Sequence, residues 1–254
     1  MKGYFAFLKK EWMENIRTYR LMIVFLVFVL FGISSPLMAK FLPDLIGAMD
    51  MNGIQLTLPE PSALDCYAQF FQNITQIGLL VFVFVFSGCI SQEVYKGTLI
   101  NVISKGLSRK AIVLAKFTMI SLLWSGALLL AFILTLGYTW YLFPEDMILQ
   151  PSFAILCLWL FGMMIISLLC LGSTLFKNSY GALLFLVLML AGLFVFNMFP
   201  NLQQFNPLYL INTSMDMLQP TYTMSEAYAS ICVSIICSIL SLLGSLYIFQ
   251  RKVL

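Results

Sequence analysis

The residues able to serve as nucleophile, base or metal ligand are few in this chain, and their surroundings limit what they can do. No histidine occurs among the 254 residues, which removes the commonest general base and metal ligand. Cys89, Cys157, Cys170, Cys232 and Cys237 lie inside apolar runs and read as small hydrophobes packed between helices. Only Cys66 falls in a polar stretch, so no intrachain disulfide framework is expected. Ser121, Ser125, Ser167 and Ser241 also sit in apolar runs, with no base nearby in sequence, where small polar residues serve close helix packing. There is no G-x-S-x-G turn, no His-x-x-x-His and no close pair of acids in an apolar segment, so no catalytic residue or metal site is expected. The phosphate-cradling loop G-x-x-x-x-G-K-[ST] is missing as well, so ATP-driven work would need a second polypeptide. No Asp, Glu, Lys or Arg stands at the middle of an apolar segment, where an ionisable group would mark an ion or proton path. Lys116, at the start of the third apolar segment, reads as a snorkelling side chain.

The elements that must position these residues follow from composition. Hydrophobic residues make up 61% of the chain and charged ones 10%, against about 45–50% and about 25% in soluble domains. Such a chain cannot cover an apolar core with polar surface, and it lacks the high net charge of a disordered one. Six apolar segments, 21–39, 73–90, 112–143, 153–175, 181–199 and 227–249, each approach or exceed the about 20 residues that span a bilayer. The expected fold is an all-α integral membrane protein of six transmembrane helices. The third segment is longer than the bilayer needs and must tilt or project.

Basic residues orient the chain. With both termini in the cytoplasm, every Lys and Arg except Lys40 falls on or near the inner side. Asp44, Asp50, Glu60, Asp65, Glu145, Asp146, Asp216 and Glu226 fall outside. Residues 2–20 are too polar to span. Phe5, Leu8, Trp12, Ile16 and Tyr19 recur at steps of three and four, which describes a helix lying in the inner interface. The outer stretch 40–72 reads as an exposed cap. The outer stretch 200–226 lacks Lys and Arg but is apolar, and reads as re-entrant or interfacial.

One inner loop, 91–110, is substantial. It reads Ser91-Gln92-Glu93-Val94-Tyr95-Lys96-Gly97-Thr98-Leu99, then Ser104-Lys105-Gly106-Leu107-Ser108-Arg109-Lys110-Ala111-Ile112-Val113-Leu114-Ala115-Lys116. Gly97 allows a sharp turn, and Ser108 is placed to cap the third span. This loop resembles the segment after the second span in permeases of the type-2 ATP-binding-cassette exporter family. There an E-x-x-x-G-T-L run leads into an S-R-x-x-[IV]-x-x-[GA]-K run. Lys10-Glu11-Trp12 with Arg17 is similar to that family's elbow helix, and Asn206-Pro207-Leu208-Tyr209-Leu210 to its outer segment before the last span. Ala115 and Gly106 stand where Gly and Pro are more usual.

The resemblance implies a permease subunit paired with a second permease, identical or related, and driven by a cytoplasmic ATPase subunit that binds ATP and Mg. It implies a multi-pass protein of a bacterial plasma membrane, with no cofactor of its own and no nucleic-acid partner. By the same resemblance, Glu93, Lys96, Gly97, Thr98, Ser104, Arg109 and Glu14 would meet the ATPase or couple its motion. Spans two and five would line the path, offering Phe82, Phe86, Phe194, Asn197 and Met198, with Gln76 at the outer mouth. Aromatic, charge-free walls suit a hydrophobic or amphipathic cargo, first of all a peptide such as a toxin or antimicrobial peptide. The other classes left open are a non-transporting scaffold or immunity protein and a gradient-driven carrier.

Overall fold

The computed structural model describes residues 2–48, 60–104, 106–145, 151–219 and 221–252. Asp50, Lys105 and Asp146 lie outside these residues. All regular elements among the described residues are helical. Among the described residues, six helices are long and apolar enough to cross a membrane: Arg20–Leu42, Ala63–Tyr95, Arg109–Leu142, Pro151–Leu175, Ser179–Phe196 and Met224–Arg251. Helices are the open-ended way to satisfy backbone polar groups in hydrocarbon.

In chain order, α1 (Lys2–Arg17) precedes the first span, α2 (Arg20–Ala48). The second span is built from α3 (Ala63–Asn73), one π turn (Ile74–Gly78) and α4 (Leu79–Phe86). Two short helices follow, α5 (Ser91–Tyr95) and α6 (Thr98–Ser104). Spans three to five are α7 (Arg109–Leu142), α8 (Pro151–Leu175) and α9 (Ser179–Phe196). The little helix α10 (Tyr209–Asn212) lies among 3-10 turns, and α11 (Tyr228–Arg251) is the last span.

The second span starts ten residues before its hydropathy suggests, which corrects part of the expected cap. Helix α3 is amphipathic: Cys66, Tyr67, Phe70 and Phe71 are buried, while Asp65 and Gln72 are exposed. The alternation dilutes the apolar average without breaking the helix. Its start is fixed by Asp65, whose carboxylate accepts from the Ser62 backbone N–H at 2.9 Å and hydroxyl at 2.8 Å. Cys66 is therefore a core residue and not a loop thiol. Helix α7 has 34 residues, about 51 Å at 1.5 Å each, and outruns a hydrocarbon core of about 30 Å. Its surplus at the basic end carries α1, with the Tyr4 hydroxyl donating to Thr118 Oγ1 at 2.9 Å.

Packing centres on α8 and on Trp124 of α7. The indole is fully buried, with the rings of Phe28 and Phe82 edge-on at 5.7 and 5.3 Å. Its N–H donates to the Trp159 carbonyl at 3.2 Å. Gly162 of α8 makes room for this ring; a Cβ there would fall well inside van der Waals contact with it. Small residues elsewhere let helices approach closely, as the packing of membrane helices requires. Ser230, Ser234, Ser241 and Ser245 are buried along α11, and Ser245 reaches the Cys170 carbonyl of α8. Ser167 and Ser241 are thus packing residues, as the sequence suggests.

Gly162→Val should destabilise the chain by about 1–3 kcal/mol, the usual cost of overpacking, read as an earlier thermal transition in detergent. Gly192→Ala, where nothing lies within 4 Å of an added Cβ, should leave that transition unchanged.

Candidate functional site

Helix α1 turns its polar residues inward. Phe7, Glu11 and Asn15 recur at four-residue steps and are buried, while Phe5, Trp12, Ile16 and Tyr19 are exposed. The apolar stripe faces away from the protein, which suits a helix lying in a membrane interface. What holds the polar face is an ion cluster. The Lys116 ammonium of α7, 3% exposed, donates to both carboxylate oxygens of Glu11 at 3.0 Å. It also lies 3.1 Å from Glu93 Oε2 of α5. Lys10 Nζ meets Glu93 Oε1 and Glu14 Oε2 at 2.7 Å each, and Glu11 Oε1 at 3.1 Å. The Phe7 ring stands 5.1 Å from Lys10 Nζ and 5.8 Å from Lys116 Nζ, so both cations also face its π-surface.

Two lysines and three carboxylates thus join three elements: the N-terminal helix, the inner-loop helix and the third span. Lys116 does not snorkel. Its charge is satisfied inside the protein because Glu11 and Glu93 arrive from helices far away in sequence.

This geometry redistributes the expected coupling residues. Glu93 is turned against the two lysines and braces the loop from inside. Glu14 is drawn into the same cluster. Gly97 adopts φ 67°, the left-handed turn that separates α5 from α6, and the Thr98 hydroxyl donates back to the Glu93 carbonyl at 3.2 Å. Thr98 and Ser104 are exposed. Ser108 caps α7, accepting from the Ala111 N–H at 3.3 Å. Arg109 is turned to the last residues of the chain, where it donates to the carbonyls of Gln250 and Lys252. A cation is favourable there at a helix C-terminus. Lys96 is exposed and, with Lys177, is among the residues lining a small cavity between α5 and the start of span five.

The path residues also divide. Phe82 and Phe86 are buried in the core of the chain, with ring centroids 4.8 Å apart. They do not line an open surface. Between the second and fifth spans runs a groove of about 520 Å³, and Gln76 and Phe194 do lie in it. Thr75, Phe84, Val187 and Asn212 line it too. Asn197 instead accepts from the Asn206 side chain at 3.4 Å, tying the end of α9 to the outer segment. Met198 projects beyond it, exposed. A helical-spacing argument would have separated these phenylalanines. Residues four apart share a face whereas residues two apart do not, so Phe84 must oppose Phe82 and Phe86. The π turn at Ile74–Gly78 brings Thr75 and Gln76 to the groove.

A comparison with known protein families decides what this arrangement belongs to. The family described as ABC-2 family transporter protein matches residues 5–251. The chain belongs to that family. An uncharacterized transmembrane protein of Bacillus subtilis (strain 168), YxlG, is similar to it at 21% identity over 256 residues, covering 99% of this chain and 98% of that one. As an ABC-2 family member the chain is a multi-pass membrane component of a transporter. The expected elbow helix, inner loop and long third span of this ABC-2 chain are the three elements that the ion cluster ties together.

Two outcomes follow. Lys116→Met leaves Glu11, Glu14 and Glu93 to share Lys10 alone and should cost about 3–5 kcal/mol, whereas adding Glu11→Met to it should recover much of the loss; thermal unfolding in detergent measures both. The second concerns pH. Burial disfavours the Lys10 ammonium, yet its hydrogen bonds to Glu14 and Glu93 outweigh this and hold its pKa above the ordinary 10.5. Burial likewise opposes the Glu14 carboxylate, and the Lys10 hydrogen bond and charge win, holding its pKa below 4.5. Glu14 therefore stabilises above pH 4.5 and loses this as pH falls through its lowered value. Lys10 stabilises below pH 10.5 and loses it as pH rises through its raised value. The stability difference between the native chain and Glu14→Gln should be flat from pH 4.5 to 10.5 and shrink on the acid side.

Proposed function

We propose that this chain is the permease subunit of an ATP-driven exporter that moves a hydrophobic or amphipathic cargo out of the cell, first of all a peptide such as a toxin or antimicrobial peptide. The observation that carries the reading is the Glu11–Lys116–Glu93–Lys10 cluster in a member of this transporter family. The sequence has no nucleotide-binding loop, so ATP and Mg would be held by a separate cytoplasmic ATPase subunit. Its push would arrive on the outward side of α5 and α6, where Thr98 and Ser104 are exposed. Glu93 would pass it to α7 through Lys116 and to α1 through Lys10. Charges buried in a medium of low dielectric resist separation, so these three elements would move as one body. Helix α7, which crosses the whole membrane, would carry the displacement to the far side.

Two such subunits, identical or related, would enclose the path, with the basic side in the cytoplasm. The groove between spans two and five is the natural wall for an apolar cargo, with Thr75, Gln76 and Asn212 as its polar contacts.

The deciding experiment is recovery of partners with the tagged chain from its native membranes in mild detergent. An ATPase carrying a Walker motif should be recovered with the native chain and with Val187→Trp, and lost with Glu93→Lys, which places three cations together. Export should fall in Val187→Trp, because the indole fills the groove. Recovery of no ATPase under conditions that preserve other complexes would remove the engine and favour a scaffold or a gradient-driven carrier.

A further inference from the structure

Beside the ion cluster lie two thiols that take no part in it. Cys89 belongs to the turn at 87–90 that leads from α4 into α5, and Cys170 lies inside α8. Both are buried, and their side chains are in hydrogen-bonding contact. A separate pair of bonds fixes the same approach. The Cys89 thiol donates to Ser173 Oγ at 3.6 Å, and the Ser173 hydroxyl donates to the Ser87 carbonyl at 3.0 Å. Ser173 stands three residues after Cys170, so the two share one face of α8. A turn that rests on Ser173 at both Ser87 and Cys89 therefore holds the Cys89 sulfur against Cys170. Cys157, on the same helix and fully buried, has no such partner among the described residues.

Two further features suit this pair to chemistry. The Lys116 ammonium is close enough for its charge to act on both thiols. Reactive cysteines sit beside such cations, because the thiolate is the nucleophile. The second feature is access. A cavity of about 170 Å³ on the basic side is lined by Gln92, Lys96, Lys177 and Ser179 among others. The side chains of Gln92 and Ser179 also cover Gly88, the residue before Cys89, so the cavity borders the turn that holds this thiol. Cys89 is 6% exposed and Cys170 0%, which makes Cys89 the outer member of the pair.

We propose that Cys89 and Cys170 form a peroxide-sensing pair, with Cys89 as the attacking thiol and Cys170 as the resolving one. The Cys89 thiolate attacks one oxygen of hydrogen peroxide and the O–O bond breaks. The hydroxide released takes up the proton that the thiol gave, and Cys89 becomes a sulfenic acid. The Cys170 sulfur then attacks the Cys89 sulfur, the S–O bond breaks, and a second water leaves with the Cys170 proton. Two thiols and one peroxide give one disulfide and two waters, the thiols losing the two electrons that the peroxide gains. A low-lying thiolate next to a resolving cysteine is the usual arrangement of a redox sensor, and transient bonds of this kind are the ones met in reducing compartments. Closure falls on the turn at 87–90, since Cys170 is held within a helix. The bond fastens to α8 the turn that carries the chain into Glu93, and so restrains α5. It needs neither an ATPase nor transport and thus goes beyond the proposed function; only its effect on coupling rests on that reading.

The test uses the full chain purified in mild detergent, treated with hydrogen peroxide, alkylated and read by peptide mass spectrometry. The dose is raised until Cys232, which is exposed, is oxidised. By then a peptide linked through Cys89 and Cys170 should have formed, and dithiothreitol should abolish it. Cys170→Ser should lose the link and leave Cys89 as a sulfenic acid that dimedone traps. Cys89→Ser should lose the link and leave Cys170 a thiol. Oxidation of Cys232 while Cys89 and Cys170 of the native chain stay thiols would overturn the proposal. So would a link from either one to a different cysteine in preference. Oxidation of Cys170 in Cys89→Ser as fast as in the native chain would overturn the order of attack. The main result is read on the native chain, so a variant that fails to fold leaves it intact. Peroxide should also slow export by the native chain and not by Cys170→Ser; equal slowing would overturn the effect on coupling. Because the link is read on the permease alone, its failure leaves the exporter reading standing, and failure to recover an ATPase leaves the thiol pair standing.

Discussion

Burying the Lys116 ammonium is the constraint on which the inner half of the molecule depends. An uncompensated ion in such a place costs several kcal/mol after all relaxation, so the third span is stable only if carboxylates reach it. Glu11 and Glu93 do so from two different helices. Meeting that demand fixes the rotation of α1 about its axis, because Glu11 can face α7 only if Phe7 and Asn15 face it too. The stripe of Phe5, Trp12 and Ile16 is thereby turned outward. It also fixes α5, whose five residues could not hold a helix alone. One buried charge therefore sets the pose of the membrane-interface helix and of the inner-loop helix together.

The outer half is governed by close packing and not by charge. Gly162 against Trp124, and the serines of α11 against α8, let backbones approach where lipid supplies no hydrophobic drive between helices. Helix α9 is the exception. It packs on α8 through Gly172 and Ala182, and it meets the second span near Gly88, where Ser179 and Gln92 leave no space for a Cβ. Above that contact the two spans separate, and the space between them is the groove.

The family assignment and the ion cluster support each other without being the same statement. Membership says that the chain is the membrane part of a transporter. The cluster says which of its elements are mechanically joined and through which atoms. Where Arg109 is turned to the carbonyls of Gln250 and Lys252, the surface open to a partner is smaller than the loop's letters imply.

Composition and periodicity were enough for much of this. The spans, the all-helical class and the turn at Gly97 follow from local rules: apolar length, backbone satisfaction in hydrocarbon and the conformational freedom of glycine. The cap at Ser108 is equally local. The inner loop was legible because its residues are contiguous. What sequence could not supply is the direction in which a side chain points once helices meet. Lys116 looks like any lysine at a span end, since its partners Glu11 and Glu93 are 105 and 23 positions away in the chain. Cys66 looks like a loop thiol because α3 averages to low hydropathy while burying one face. Phe82, Phe84 and Phe86 are alike in type; helical spacing sets Phe84 opposite the other two, but only the folded chain shows that Phe82 and Phe86 fill the core while Phe84 opens on the groove. Hydropathy is a property of a segment, whereas burial and charge pairing belong to the contacts between segments, and those exist only in the folded chain.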